Sequence, residues 1–335
     1  MSRNKGASRR EVGAANVMIT SAGRRTGLVR AFAEAAHARG GRVLATDVDG
    51  LAPALYLADE AVRTLPLRDA GYSDDLLAKV VSHDIRLVVP TIDTELPILA
   101  ANRSRFEAVG CRVAISAASF IETSMDKHLT ALAFGSFGIR VPKSWIPPIP
   151  ASVEIPITVF VKPRSGSASQ NTFQIGREDL DAILRVVPDP IIQEVLTGPE
   201  ITIDALLDFD GRAIHYVPRR RIRTLGGESI QGVTLEHDSG FEAWIEDLLG
   251  HCASLGGVGP LTMQAFLTPE GPVLTEINAR FGGGFPLAHA AGAEYPAWLL
   301  DMIAGAAVRP RLREYEAGLY MTRSSAELFT RQPKW

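Results

Sequence analysis

The stretch TEINARFGGG, residues 275–284, sets an acid, an amide and a base at alternate positions, Glu276, Asn278 and Arg280, and follows them with three glycines. The residues before it, Pro272-Val273-Leu274-Thr275, read as a strand leaving the turn Pro269-Glu270-Gly271. Alternate side chains of a strand share a face. If the strand continues, the three polar side chains point one way. Two neighbouring oxygen ligands suit a hard cation such as magnesium. An adjacent arginine suits a phosphate, which it grips with two parallel hydrogen bonds. Glycines let backbone approach a ligand closely or take positive φ. A polar edge strand ending in a flexible loop has the same pattern, and this segment alone does not separate the two readings.

The whole chain narrows the choice. Its 335 residues make two or three domains or one large one, and its 46% apolar and 22% charged residues are ordinary for a globular protein. A net charge of -3 gives no electrostatic case for a nucleic-acid partner. The opening MSRNKGASRREVGAAN is basic and polar and lacks the apolar core of a signal peptide, so residues 1–15 read as a disordered tail. No apolar run has membrane-spanning length, and no membrane partner is expected. Cys111 and Cys252 are far apart, which implies neither a zinc site nor a disulfide framework and fits a reducing cytoplasm. The histidines show no metal spacing. His289, on an expected helix after the glycines, reads as a packing residue.

Residues 16–115 alternate strand and helix. Val17–Thr20 is an apolar strand, SAGRRTG (21–27) a loop, and Leu28–Arg39 a helix stopped by Gly40-Gly41. Further strands are expected at 42–46, 87–90 and 111–115, with helices beginning at Ser73 and spanning 96–106. This is an open parallel α/β sheet, which binds ligands at the carboxyl ends of its strands, here SAGRRTG and TIDTE (91–95). The dinucleotide fingerprint G-x-G-x-x-G is absent. Only Gly23 and Gly27 are present, with Arg24-Arg25 between them, which argues against a nicotinamide-linked oxidoreductase. The loop reads either as an anion site on a helix N-terminus or as an ordinary turn with two solvated arginines. A helix over 127–137 and a run of prolines from 142 to 156 then mark a change of organisation. Beyond them the pattern is strand-rich, with a hairpin signal at Asp208-Phe209-Asp210-Gly211, so an antiparallel α+β region is expected.

Four further segments bear on chemistry. VKPRSGSASQ (161–170) places Lys162 at a strand end before a loop of small residues, whose amides would cradle phosphates or simply form a turn. IIQEVLTGPE (191–200) carries an apolar strand into Gln193-Glu194-Val195-Leu196. Its exposed backbone would pair with an adenine edge and its acid would hold ribose hydroxyls, unless it is a plain hairpin. VPRRRIRTLGGES (217–229) puts Arg219, Arg221 and Arg223 on one face if extended, a cluster that wants an anion or is merely solvated. GPLTMQAFLT (259–268) brings Gln264 to a position across the hairpin from Glu276.

In this order the segments resemble the ATP-grasp superfamily, nearest to its carbamoyl-phosphate-synthase-large-subunit-like ligases, over about residues 16–310. SAGRR, PALYLAD (53–59) and VVPTIDTELPILA (88–100) look like the pre-ATP-grasp domain of that group. The resemblance implies a pre-ATP-grasp α/β domain at 16–115 and ATP-grasp subdomains at 116–200 and 201–335, with ATP held between two antiparallel sheets. Lys127 and Lys162 match the lysines that hold ATP phosphates. Ser165, Gly166, Ser167 and Ser169 match the loop that closes over them. Gln193, Glu194, Val195 and Leu196 match the adenine hinge, with Glu200 on the ribose. Gln264, Glu276 and Asn278 match the magnesium ligands, for one or two ions, manganese being an alternative. Many relatives carry a carboxylate where Gln264 stands, so the neutral amide here lowers the local negative charge available to a second metal. Arg280 matches the arginine near the transferred phosphoryl group, and Arg219 and Arg221 a pair facing substrate or acyl phosphate. The substrate is expected near Arg24, Asp93, Glu95 and Gly282, Gly283 and Gly284. The implied activity is an ADP-forming, cytoplasmic carboxylate–amine ligase acting through an acyl phosphate on small molecules, in the homodimeric state common in the superfamily. A carbamoyl- or carboxyphosphate-type ligase and a non-catalytic ATP sensor are the alternatives.

Overall fold

The computed structural model describes residues 14–166 and 171–335. Of the expected tail only residues 14 and 15 fall within them, and Ala15 is buried.

Strands β1 (Asn16–Thr20), β2 (Val43–Asp47), β3 (Glu60–Arg63), β4 (Ile85–Pro90) and β5 (Arg112–Val113) form a parallel sheet in the order β3-β2-β1-β4-β5. Helices α1 (Thr26–His37), α2 (Tyr72–Ser82) and α3 (Leu96–Ala108) connect its strands. Val17, Met18 and Ile19 are wholly buried, as the centre of a sheet covered on both faces requires. The order reverses between β1 and β4, so the loops leaving these two strands flank the crevice where such sheets take ligands. Those loops are SAGRRTG and TIDTE, and Thr91 ties them together by donating to the carbonyls of Thr20 (3.1 Å) and Ser21 (2.6 Å). Helix α1 starts two residues earlier than its apolar spacing indicates, and β5 is only two residues long. The four-residue β3 carries too little pattern to be read from sequence.

Helices α4 (Ala118–Met125) and α5 (Lys127–Ser136) lead into a four-stranded antiparallel sheet. Its strands are β6 (Ser144–Trp145), β7 (Thr158–Pro163), β8 (Phe173–Gly176) and β9 (Pro190–Glu194), in the order β6-β9-β7-β8. With α6 (Leu180–Leu184) it buries a small core of its own built on Val159, Val161, Leu180, Val187 and Ile192. A six-stranded antiparallel sheet follows: β10 (Glu200–Leu207), β11 (Ala213–Leu225), β12 (Glu228–Thr234), β13 (Gly259–Thr268), β14 (Gly271–Asn278) and β15 (Tyr320–Thr322), in the order β14-β13-β10-β11-β12-β15. Helices α7 (Ser239–Ser254), α8 (Phe285–Ala290) and α9 (Tyr295–Ile303) complete the chain.

The parallel and six-stranded sheets share one continuous core. Phe32 of α1 meets Phe281 edge to face with ring centres 5.7 Å apart, and Phe281 meets Phe285 at 4.7 Å. Arg39 of α1 holds Asp301 of α9 at 2.7 Å. Phe281 follows Arg280 directly, so this aromatic contact fixes the residue next to the polar row. Phe281→Ala therefore costs about 3–5 kcal/mol. Urea unfolding followed by fluorescence should show a large drop in midpoint.

Candidate active site

A cleft of about 500 Å³ lies between the four-stranded and six-stranded sheets. Lys127 and Lys162 reach it from different elements. Lys127 is the first residue of α5, and Asp126 caps that helix by accepting from the amides of His128 (2.8 Å) and Leu129 (3.2 Å). Asp126 is also paired with Arg164, whose carbonyl receives the Lys127 amide at 3.0 Å, so cap and loop set the lysine together. Burial raises the Asp126 carboxyl, but its bonds from Arg164 and the two amides outweigh that and hold it below the usual range. The Lys127 ammonium donates to the carbonyls of Gly166 (3.0 Å) and Arg164 (3.4 Å). Lys162 stands at the end of β7, over the Phe160 ring at 5.6 Å. Burial brings its ammonium down to about 8. Glu276 and Glu200 act against that shift, and Lys127 adds to it. Ser165 and Gly166 also line the cleft, whereas Ser167 and Ser169 lie outside the described residues.

Gln193, Glu194, Val195 and Leu196 line the cleft where β9 ends. Their side chains do not all face it. Gln193 donates to Ser144 Oγ at 3.0 Å, and the Glu194 carboxylate accepts from the Lys143 amide at 2.9 Å. Glu200 opens β10 and is ion-paired with Arg221, and both line the cleft. Arg219 departs from the expectation that it faces substrate beside Arg221. It is sealed in an ion pair with Asp204 at 2.7 Å, the two side chains being 3% and 2% exposed. Arg223 leaves the shared face because the register of β11 on β12 shifts after Arg221.

The row read at 275–284 is a continuous hydrogen-bonded relay. Gln264 stands directly opposite Glu276, and both line the cleft. Asn278 donates from Nδ2 to Glu276 at 2.9 Å and accepts at Oδ1 from Arg280 at 3.0 Å. Arg280 then donates to Asp93 of TIDTE at 2.6 Å and to the Phe281 carbonyl at 3.1 Å. The relay thus runs from the cleft to the crevice of the parallel sheet. Gln264, Glu276 and Asn278 offer one carboxylate and two amides. Among the described residues no group of three His, Cys, Asp or Glu side chains forms a fuller metal cage.

At the crevice the expected substrate residues divide. Asp93 is on the relay. Arg24 points away, 78% exposed and 3.9 Å from Glu228, while its neighbour Arg25 turns inward. Glu95 is fully buried rather than presented to the crevice, accepting from Tyr72 (2.5 Å) and Ser21 (3.0 Å). Burial pushes its carboxyl up. It positions the Ser21 turn from beneath. The glycines make room for this chain's own arginines. A Cβ at Gly283 would lie 2.7 Å from Arg25 Nη1, and one at Gly284 would collide with the Arg219 guanidinium. A Cβ at Gly282 would lie 2.8 Å from Thr262.

Residues 17–114 match the family model described as the PylC-like N-terminal domain, and residues 186–325 match the model described as ATP-grasp in the biosynthetic pathway with Ter operon. The ATP-grasp match therefore covers the C-terminal part of the chain, residues 186–325. Solved structures share the fold of nearly the whole chain. The biotin carboxylase domain of Hydrogenobacter thermophilus 2-oxoglutarate carboxylase, in complex with MgADP, ADP and bicarbonate, is 15% identical with a TM-score of 0.73, covering 91% of this chain and 73% of that one. The N5-carboxyaminoimidazole synthetase of Staphylococcus aureus is 14% identical with a TM-score of 0.71, covering 91% and 80%. The L-amino acid ligase of Bacillus licheniformis is 18% identical with a TM-score of 0.67, covering 86% and 74%. No curated protein matches the sequence. Among the described residues no helix is long and apolar enough to cross a membrane.

The lysine pair makes a pH prediction. Lys162 is charged below about 8 and neutral above it. A bound triphosphate favours the charged form and raises that value. Mg–ATP binding at pH 9 should therefore take up close to one proton, with affinity falling by up to about tenfold per pH unit above 8. Near pH 7 the uptake should nearly vanish. Calorimetry in buffers of different ionisation enthalpy measures this, and Lys162→Ala should abolish the pH-9 uptake.

Proposed function

We propose that the protein is an ATP-dependent ligase that joins a carboxylic acid to an amine through an acyl phosphate, releasing ADP and phosphate. The observation that carries this reading is the relay from the nucleotide-sized cleft, through Glu276, Asn278 and Arg280, to the ligand crevice of the parallel sheet.

The residues present fit ATP and magnesium. Two ammonium groups converge on one cleft, and among the described residues neither has a carboxylate within ion-pair distance, which suits a triphosphate. Glu276 with the Gln264 and Asn278 amides would supply part of a magnesium shell, which ordinarily keeps phosphate oxygens and water as its other ligands. Bound Mg–ATP supplies a transferable phosphoryl group with its charge partly neutralised. The backbone at Glu194 to Leu196 would take the adenine edge, and the Glu200–Arg221 pair would stand beside the ribose.

Arg280 is held rigidly by Asn278 and Asp93 at the end of the metal row, so its charge is in place before phosphoryl transfer begins. The acid enters from the crevice and meets the phosphoryl group beside Arg280. The amine then displaces phosphate from the activated carbonyl. No protein nucleophile is needed. Both cysteines are buried, and burial pushes their thiols up, Cys111 to about 12.

Incubation with ATP, magnesium and pools of amino acids and small carboxylic acids tests the reading. ADP and phosphate should form only with particular pools, and Glu276→Ala should lower the rate by roughly 10²-fold or more. AMP and pyrophosphate would mean adenylation and overturn it. ADP formation requiring only bicarbonate and an amine would mean a carboxyphosphate route.

A further inference from the structure

Among the described residues the arginines around the crevice are paired with carboxylates, Arg25 excepted. Arg280 holds Asp93 at 2.6 Å, Arg219 holds Asp204 at 2.7 Å, Arg323 holds Glu228 at 3.2 Å, and Arg24 stands 3.9 Å from Glu228. Arg25 has no carboxylate at ion-pair distance among the described residues. Among the described residues its side-chain hydrogen bond runs from Nη2 to the Thr91 carbonyl at 3.4 Å, and Nη1 is buried with no partner there. Burial brings its guanidinium down to about 10, and Arg280 nearby pushes the same way against weaker help from Glu228 and Asp93. An unpaired cation in such surroundings costs stability. Groups perturbed in this way concentrate where ligands bind.

Its position is informative. Arg25 ends the loop leaving β1, at the point where the strand order reverses. Its Nη1 lies directly under Gly283. The relay residues Glu276, Asn278 and Arg280 lead from the cleft and meet the reacting carboxylate at their end. Arg25 is contributed by the parallel-sheet domain, from the loop between β1 and α1. We propose that Arg25 binds an anionic group of the acid substrate other than the carboxylate being activated, so that the substrate class is a dianionic acid, either a dicarboxylate or a phosphorylated carboxylic acid. This rests on the ligase reading above. The ligand's oxygen takes the free Nη1–H, and Gly283, having no side chain, shifts to admit it.

The test uses the full chain saturated with Mg–ADP, titrated calorimetrically with glutarate, 2-phosphoglycolate and butyrate. Wild type should bind at least one dianion tenfold or more tighter than butyrate. Preference for glutarate identifies a dicarboxylate, and preference for 2-phosphoglycolate a phosphorylated acid. Arg25→Gln should reduce that dianion to the butyrate level, and Arg25→Lys should restore part of it. Because the guanidinium is unpaired, Arg25→Gln should leave the ligand-free melting temperature unchanged or raised. Equal binding of butyrate and dianions by wild type, or undiminished dianion binding by Arg25→Gln, would overturn the proposal. A lowered melting temperature in Arg25→Gln would assign the residue a structural role and also overturn it. Failure of Mg–ADP to bind would instead sink the ligase reading, and the anion comparison would still be readable without nucleotide.

Discussion

One guanidinium joins the two halves of the site. Arg280 touches Asn278 of the hydrogen-bonded row, Asp93 in the loop leaving β4 and the carbonyl of Phe281 in the shared core. It is buried, so its charge is tolerated only because Asp93 is close and well aligned. Removing either partner would leave a buried charge uncompensated. That constraint fixes where the glycine loop begins, and the loop in turn lies across Arg25 and Arg219.

The residues lining the cleft stand on two bodies with separate cores. Gln264, Glu276, Asn278 and Arg280 stand on the body that shares its core with the parallel sheet. Lys162, Gln193 and Glu194 stand on the four-stranded sheet with a separate, smaller core. Lys127, by contrast, opens α5, whose Phe134 is buried in the larger core, so the two lysines reach the cleft from different bodies and the cleft is the space between them. A nucleotide there would bridge the two and add to the stability of their arrangement.

What was legible in the sequence follows from what is local. Strand alternation has a period of two, so the common face of Glu276 and Asn278 and the pairing of Gln264 with Glu276 could be read directly. The parallel sheet announced itself through apolar strands alternating with helices. Choices made by loop geometry were hidden. Ser21 takes a φ of 50°, and Arg25 caps α1 in a non-helical conformation, and together these send Arg25 inward and Arg24 out. Adjacent identical residues carry no signal for that choice. Arg219 looked like a substrate contact because its partner Asp204 lies on a different strand, paired only through sheet register. The glycines looked like space for a ligand, when the nearest groups beneath two of them are guanidiniums of the same chain.

A crystal structure with magnesium and a non-hydrolysable ATP analogue should show the nucleotide in the cleft, its phosphates between Lys127 and Lys162 and directed toward Arg280, the metal on Glu276, and the base along Glu194 to Leu196. A nucleotide bound instead at the SAGRRTG loop of the parallel sheet, with the cleft empty, would refute the proposed ligase site.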